Sequence, residues 1–206
     1  MLVAEMFSVH HVTPRGPPGN RACQNQQMSA RVWTLLVPLK PLAAAKSRLR
    51  GAVPGLAHEK LVAALAQATI EAARASPLVA ELVVVTKGPD LNSALREAAA
   101  EHDGPLAVLP ADLPALRTEE LTEALRLCVV RSFVPDAEGA GTVLLAAPDG
   151  DLRPAFGPES ARLHERDGAR RLDGDWPTLR RDVDTAADLA AAQALGWSHA
   201  GYRLHV

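Results

Sequence analysis

Cysteine is almost absent from this 206-residue chain, and Cys23 and Cys128 are too few for a disulfide framework or a zinc site. Aromatic residues make up only 3% against 48% hydrophobic residues, so a core has to be packed from Ala, Leu and Val. That mixture suits helices laid on short, buried strands. No apolar run approaches the roughly 18 residues of a membrane span. Basic residues form no long run and the formal net charge is -2, which argues against a surface that holds nucleic acid by neutralising phosphates. Glycine-rich phosphate loops are missing as well. There is no GxGxxG, and Lys46-Ser47, though similar to the close of a Walker A motif, has no glycine before it to let backbone amides cradle a phosphate. These absences read as a cytoplasmic protein without nucleic-acid or membrane partners.

The length suits one compact domain. Residues 1–27 lack a basic start, an apolar h-region and any periodicity, so they are no signal peptide. His10, His11 and Cys23 lack a fourth ligand at zinc spacing. The segment reads as a disordered extension or a start placed too early, with the domain expected over 28–206.

From Val32 onward, short apolar runs alternate with Ala/Leu-rich periodic stretches, the pattern of an α/β fold with a mostly parallel sheet flanked by helices. Strands are expected at 32–38, 81–86, 106–109 and 141–147. Leu61, Leu65, Ala68 and Ala72 share one face of a helix that Ser76-Pro77 ends. A second helix is expected over 91–102, closed by Gly104-Pro105. Thr118 is placed to cap the third, with Leu121 and Leu125 inward and Cys128 buried behind them. After residue 147 the chain is polar and loop-rich until Asp184-Thr185-Ala186-Ala187-Asp188, a capping-box-like start for a last helix ending near Leu195.

Four segments carry groups suited to phosphate chemistry. VPLKPLAAAKSRL (37–49) follows the first strand and holds Lys40 and Lys46, two of only four lysines in the chain, together with Arg48. It reads either as a solvated basic loop or as a triphosphate grip, point charges beside a guanidinium fork. In LPADLPAL (109–116), two prolines stiffen the backbone around Asp112 at a strand end, where open α/β sheets place ligands. Asp112 reads as a turn residue or a metal ligand. RRDVDT (180–185) adds Asp182 and Asp184, two residues apart on one side of an extended segment. The three carboxylates from two segments suit Mg²⁺, although Asp184 also reads as a helix cap. RPAFGPESARLH (153–164) offers a glycine turn, then Ser160 at a helix start whose free amides suit an anion or where Ser160 is a plain cap. His164 follows, as a ligand contact or a structural histidine.

Together VPLKPLAAAKSRL, GPDLNSALREAA, LPADLPAL, GTVLLAAPDGDLRPAFGPESARLH and LRRDVDTAADL resemble, in the same order from about Arg31 to Gly196, the phosphoenolpyruvate or 2-phospho-L-lactate guanylyltransferases of coenzyme F420 biosynthesis. The resemblance implies a single Rossmann-like, GT-A-like nucleotidyltransferase domain that uses GTP and Mg²⁺ and releases pyrophosphate. It puts Lys40, Lys46 and Arg48 on the GTP phosphates and Asn92 near the guanosine. Asp112 and Asp182 would hold metal, while Thr142, Gly157 and Ser160 would receive the phosphorylated acid. Two positions depart from the pattern. Glu159 stands where a small residue, often glycine, is expected, and Asp90 where a small residue commonly precedes Leu-Asn. The 1–27 segment lies outside the resemblance.

The chemistry agrees with the residues. A phosphate monoester, with a second pKa of about 6, is largely dianionic at neutral pH and needs no general base, which fits a chain rich in carboxylates and cations without a Ser/His/Asp arrangement. Phosphoenolpyruvate is the expected acceptor, with 2-phospho-L-lactate and 3-phosphoglycerate as alternatives. Transfer to molybdopterin or a sugar phosphate, and a GTP-binding module without catalysis, are the rival readings. The diphosphate product suggests hand-off to a downstream transferase.

Overall fold

In strand β1 (Trp33–Pro38), Leu35 and Val37 pack into one apolar cluster and Leu36 into another, as the two-residue period of a strand covered on both faces requires. The computed structural model describes residues 31–39, 46–53, 56–86 and 88–199. The 1–27 extension and Lys40 lie outside the described residues.

β1 is joined by β2 (Val79–Val85), β3 (Leu106–Val108), β4 (Ser132–Pro135), β5 (Thr142–Ala147) and β6 (Arg170–Arg171) in a sheet of order β2-β1-β3-β5-β4-β6. β1 pairs parallel with β2 and β3, and β4 with β6. The sheet is mostly parallel, as expected, but β5 runs antiparallel to both β3 and β4. Reversal of β5 carries its first residue, Thr142, to the edge where β1 and β3 end.

Helices α1 (His58–Arg74) and α3 (Thr118–Leu127) cover one face, contributing Ile70, Leu121 and Leu125 to its cluster. α2 (Leu91–Ala99) and α4 (Ser160–Arg166) cover the other with Leu95 and Ala161. A third cluster joins Leu61 and Leu65 of α1 to Leu189 of α5 (Ala186–Ala194) and to Val183. α1 is rich in alanine, the strongest helix former, and stops at Ala75, just ahead of Ser76-Pro77. The capping box at α5 is present, with Thr185 as cap and Asp188 as its reciprocal partner. Among the described residues, no helix is long and apolar enough to cross a membrane.

One local expectation needs correcting, and two strands appear that the sequence pattern did not suggest. Thr118 does not cap α3: Arg117 holds the cap position, and the Thr118 hydroxyl donates to the Ala72 carbonyl of α1 at 2.9 Å. A distant acceptor has taken the group that a local cap would use. β4 and β6 were not expected, since one is four residues ended by proline and the other is a pair of arginines with no apolar pattern. Cys128 is buried as anticipated, its thiol pushed up to about 12 by burial.

Candidate active site

Asp112 follows β3 and is held by the backbone on both sides. The Leu113 amide donates to the buried Thr69 hydroxyl of α1 at 2.9 Å, and the Asp112 carbonyl accepts from the Val183 amide at 3.0 Å. The second contact brings the Asp182–Asp184 segment alongside. That segment is anchored upstream by Glu120 of α3, whose carboxylate accepts from the Thr178 and Leu179 amides at 2.9 Å each. Downstream it is fixed by the Thr185 cap. Because Thr185 rather than Asp184 caps α5, the Asp184 side chain is left for other work.

Lys46 supplies the bridge. Its ammonium group donates to both Asp112 Oδ2 and Asp184 Oδ1. Burial opposes the charge on Lys46, but attraction and hydrogen bonding from Asp112 and Asp184 outweigh it and hold the pKa above its ordinary value. Lys46 also adopts a left-handed backbone, φ 53°. An L-residue pays for that conformation, and such residues gather where surrounding structure fixes a functional side chain. Asp182 is affected in the opposite direction. Burial first, then repulsion by Asp112 and Asp184, raises its pKa to about 7, with Lys46 relieving part of the effect.

Lys46, Asp112 and Asp184 line a cavity of about 440 Å³, and Asp182, expected as a metal ligand, is not among its lining residues. Ser47 and Arg48 add polar groups to it, while Val62, Leu65, Ala66, Leu91 and Phe156 give it apolar surface. A pocket lined by both charged and apolar side chains suits a ligand with a phosphate tail and a flat ring system. The apolar surface was not singled out from sequence. Phe156 had a signal, being one of only three phenylalanines and set between Pro154 and Gly157.

Asn92 does not line the cavity. Its amide clamps the Phe156 backbone, donating to the carbonyl at 2.9 Å and accepting from the amide at 2.8 Å. Asp90 is the N-cap of α2, accepting from the Ser93 amide at 3.0 Å, which accounts for its departure from the family pattern. Thr142, Gly157 and Ser160 sit together at the start of β5 and of α4. Thr142 and Ser160 are buried, while a Cβ on Gly157 would meet no atom within 4 Å. The amides at the α4 start are less free than expected, since Ser160 donates to the Gly157 carbonyl and Ala161 to the Ala140 carbonyl. Glu159, not Ser160, is the cap residue, and it is left-handed at φ 57°. The glycine expected there would adopt that conformation without strain. His164 is fully buried and touches no ligand space.

The residues present fit a divalent cation. Asp112 Oδ1 is buried without a hydrogen-bond partner, an arrangement that costs free energy unless positive charge compensates it. Among the described residues no three His, Cys, Asp or Glu side chains converge as a metal cage. Mg²⁺ asks for less, one or two carboxylates completed by phosphate oxygens and water.

Over 192 residues the chain is 50% identical to the phosphoenolpyruvate guanylyltransferase of Salinispora arenicola, covering 81% of this chain and 90% of that one. It is 45% identical over 197 residues to that of Geodermatophilus obscurus, covering 82% and 92%. It is 39% identical over 193 residues to that of Mycobacterium leprae, covering 79% and 88%. No family model matches the chain. Among solved structures, a nucleotidyl transferase from Methanothermobacter thermautotroptrophicus superposes with a TM-score of 0.55 at 14% identity, covering 80% of this chain and 97% of that one. CMP:2-keto-3-deoxy-manno-octonic acid synthetase complexed with CTP gives 0.51 at 17% identity, covering 80% and 98%. At such identities these structures speak for a shared fold.

Proposed function

The chain belongs to the phosphoenolpyruvate guanylyltransferase family, and we propose that it transfers GMP from GTP to phosphoenolpyruvate, giving enolpyruvyl-diphospho-5'-guanosine and pyrophosphate in coenzyme F420 biosynthesis. As a family member it is a nucleotidyltransferase. The observation that carries the reading is Lys46 between Asp112 and Asp184 in the lining of the cavity. A cation and two carboxylates there suit a triphosphate and its metal.

A phosphate oxygen of phosphoenolpyruvate attacks the α-phosphorus of GTP. The new P–O bond forms as the bond to the β-phosphate oxygen breaks and pyrophosphate leaves. No proton has to be removed from a dianionic nucleophile, so the protein's work is to align two repelling anions and offset their charge. Lys46 and Arg48 take the triphosphate, with Lys40 assigned to it from the same loop. Asp112 and Asp184, the two carboxylates that line the cavity, would hold Mg²⁺, which would supply neutralisation of phosphate charge, with Asp182 contributing from behind them in the same acidic segment. Thr142, Gly157 and Ser160 receive the acid, supported by their grouping where β5 and α4 begin and by the open space beside Gly157. Asn92 bears on the guanosine through Phe156, which it fixes against the cavity. We assign this activity to residues 28–206 and to the cytoplasm, where GTP is kept. A transferase that consumes the diphosphate product is the partner implied.

The test offers GTP with phosphoenolpyruvate, 2-phospho-L-lactate or 3-phosphoglycerate and follows pyrophosphate. Release with phosphoenolpyruvate supports the proposal; release with none of the three sinks it. Parallel arms with ATP and CTP separate guanylyl transfer from other nucleotidyl transfers.

A further inference from the structure

His164 is buried completely, between the rings of Phe133 and Phe156 at centroid distances of 6.0 and 5.3 Å. Each ring nitrogen has one partner. The Ala155 amide lies 3.0 Å from Nε2. A backbone amide can only donate, so Nε2 is the unprotonated nitrogen, and in a neutral imidazole the proton then belongs to Nδ1. Burial holds the ring neutral, lowering its pKa to about 4, with repulsion from Arg131 acting in the same sense.

Nδ1 lies 2.9 Å from Thr142 Oγ1. With the tautomer set by Ala155, the direction of this bond follows: Nδ1–H donates and Oγ1 accepts. A hydroxyl that accepts keeps its own proton for a different acceptor. Thr142 retains 6% exposure where His164 has none, so of the bonded pair it is the residue nearer the surface. As the first residue of the reversed strand β5, Thr142 stands at the sheet edge from which Asp112 emerges.

We propose that His164 is a positioning residue: by donating from Nδ1 to Thr142 Oγ1, it turns the Thr142 O–H toward an anionic oxygen of the phosphorylated acid. The proposal rests on the guanylyltransferase reading and names what orients its acid subsite. It separates His164 from a mere core histidine, which would hold the Ala155–Phe156 loop and so bear on GTP rather than on the acid.

The test compares the full chain with Thr142→Val, His164→Gln, His164→Asn and the Thr142→Val/His164→Gln double variant. Glutamine can reach the place of Nε2 but leaves Thr142 without its donor. Asparagine can put an amide N–H where Nδ1 was. Thr142→Val and His164→Gln should each raise the KM for phosphoenolpyruvate about 10- to 100-fold, the loss of one hydrogen bond to a charged group, with the KM for GTP unchanged. The double variant should be no worse than either single one, and His164→Asn should recover most of the loss. Equal effects on both substrates, additive losses, or asparagine no better than glutamine would overturn the proposal. Imidazole ¹⁵N shifts of His164 at pH 7 give a readout independent of turnover, and a proton on Nε2 overturns it too. Should His164→Gln fail to fold, Thr142→Val and His164→Asn still decide. Wild-type protein inactive with every acid would instead bring down the functional reading itself.

Discussion

A buried imidazole and a half-buried carboxyl titrate against each other, and substituting either one should expose the other. His164 has a folded pKa of about 4 against 6.5 in the unfolded chain, so the unfolded state takes up a proton that the folded ring refuses. Stability is present in full above pH 6.5 and is lost as pH falls toward 4. At ~1.36 kcal/mol per unit the loss reaches about 3 kcal/mol. Asp182 has a folded pKa of about 7 against 3.8, so its folded carboxyl keeps a proton that the unfolded one releases. Its contribution is present in full below pH 3.8 and is lost as pH rises through 7, with a ceiling of about 4 kcal/mol that water at the half-buried group reduces. Over pH 4.5–6.5 the two slopes oppose, and the wild-type protein should show almost none. Asp90, Asp167 and Asp188 are held below 3.8 and titrate beneath this window. Urea unfolding in EDTA at pH 4.5, 5.5, 6.5 and 7.5 reads the slopes directly. His164→Gln should grow more stable on acidification by about 1 kcal/mol per pH unit, and Asp182→Asn less stable by a similar amount. Stability curves for the two variants parallel to the wild type would refute the reasoning.

Asp112→Ala should leave the melting temperature nearly unchanged and lower turnover more than about 100-fold, beyond what is lost with a residue that only orients a ligand; near-normal turnover at ordinary Mg²⁺ would remove Asp112 from the centre of the site. Asn92→Ala strips both partners from the Phe156 peptide and should cost about 1–3 kcal/mol while raising the KM for GTP. A folded variant with an unchanged GTP KM would detach Phe156 from nucleotide binding. Glu159→Gly should be stabilising by up to about 1 kcal/mol, because relief of the left-handed strain, ~1–2 kcal/mol, exceeds the ~0.5–1 kcal/mol of chain freedom that glycine loses. Thermal melts check it, and a lower melting temperature would count against the assigned strain.

The alternation of apolar runs and periodic helices was enough to predict the α/β class, because buried strands and amphipathic helices write their own periods. What stayed hidden depends on partners far away in the chain. The Thr118 hydroxyl looks like a cap until the Ala72 carbonyl is brought beside it. Asn92 reads as a ligand contact, and its bonds to the Phe156 peptide on both sides become visible only in the fold. Lys46 was legible as a cation near phosphate, but not as the link between Asp112 and Asp184, which arrive from segments 66 and 138 residues away. β6, two arginines paired with β4, has no pattern to detect.

The bond from the Val183 amide to the Asp112 carbonyl makes the spacing of the acidic residues a property of the main chain. Side chains at those two positions do not form it, so substitution leaves the suture in place unless residue 183 becomes proline, which has no N–H. The connection between Asp112 and Val183 can therefore lengthen, shorten or drift at its surface turns without resetting the distance between the two halves of the site. A lineage can remodel what the pocket accepts while the carboxylates stay in register.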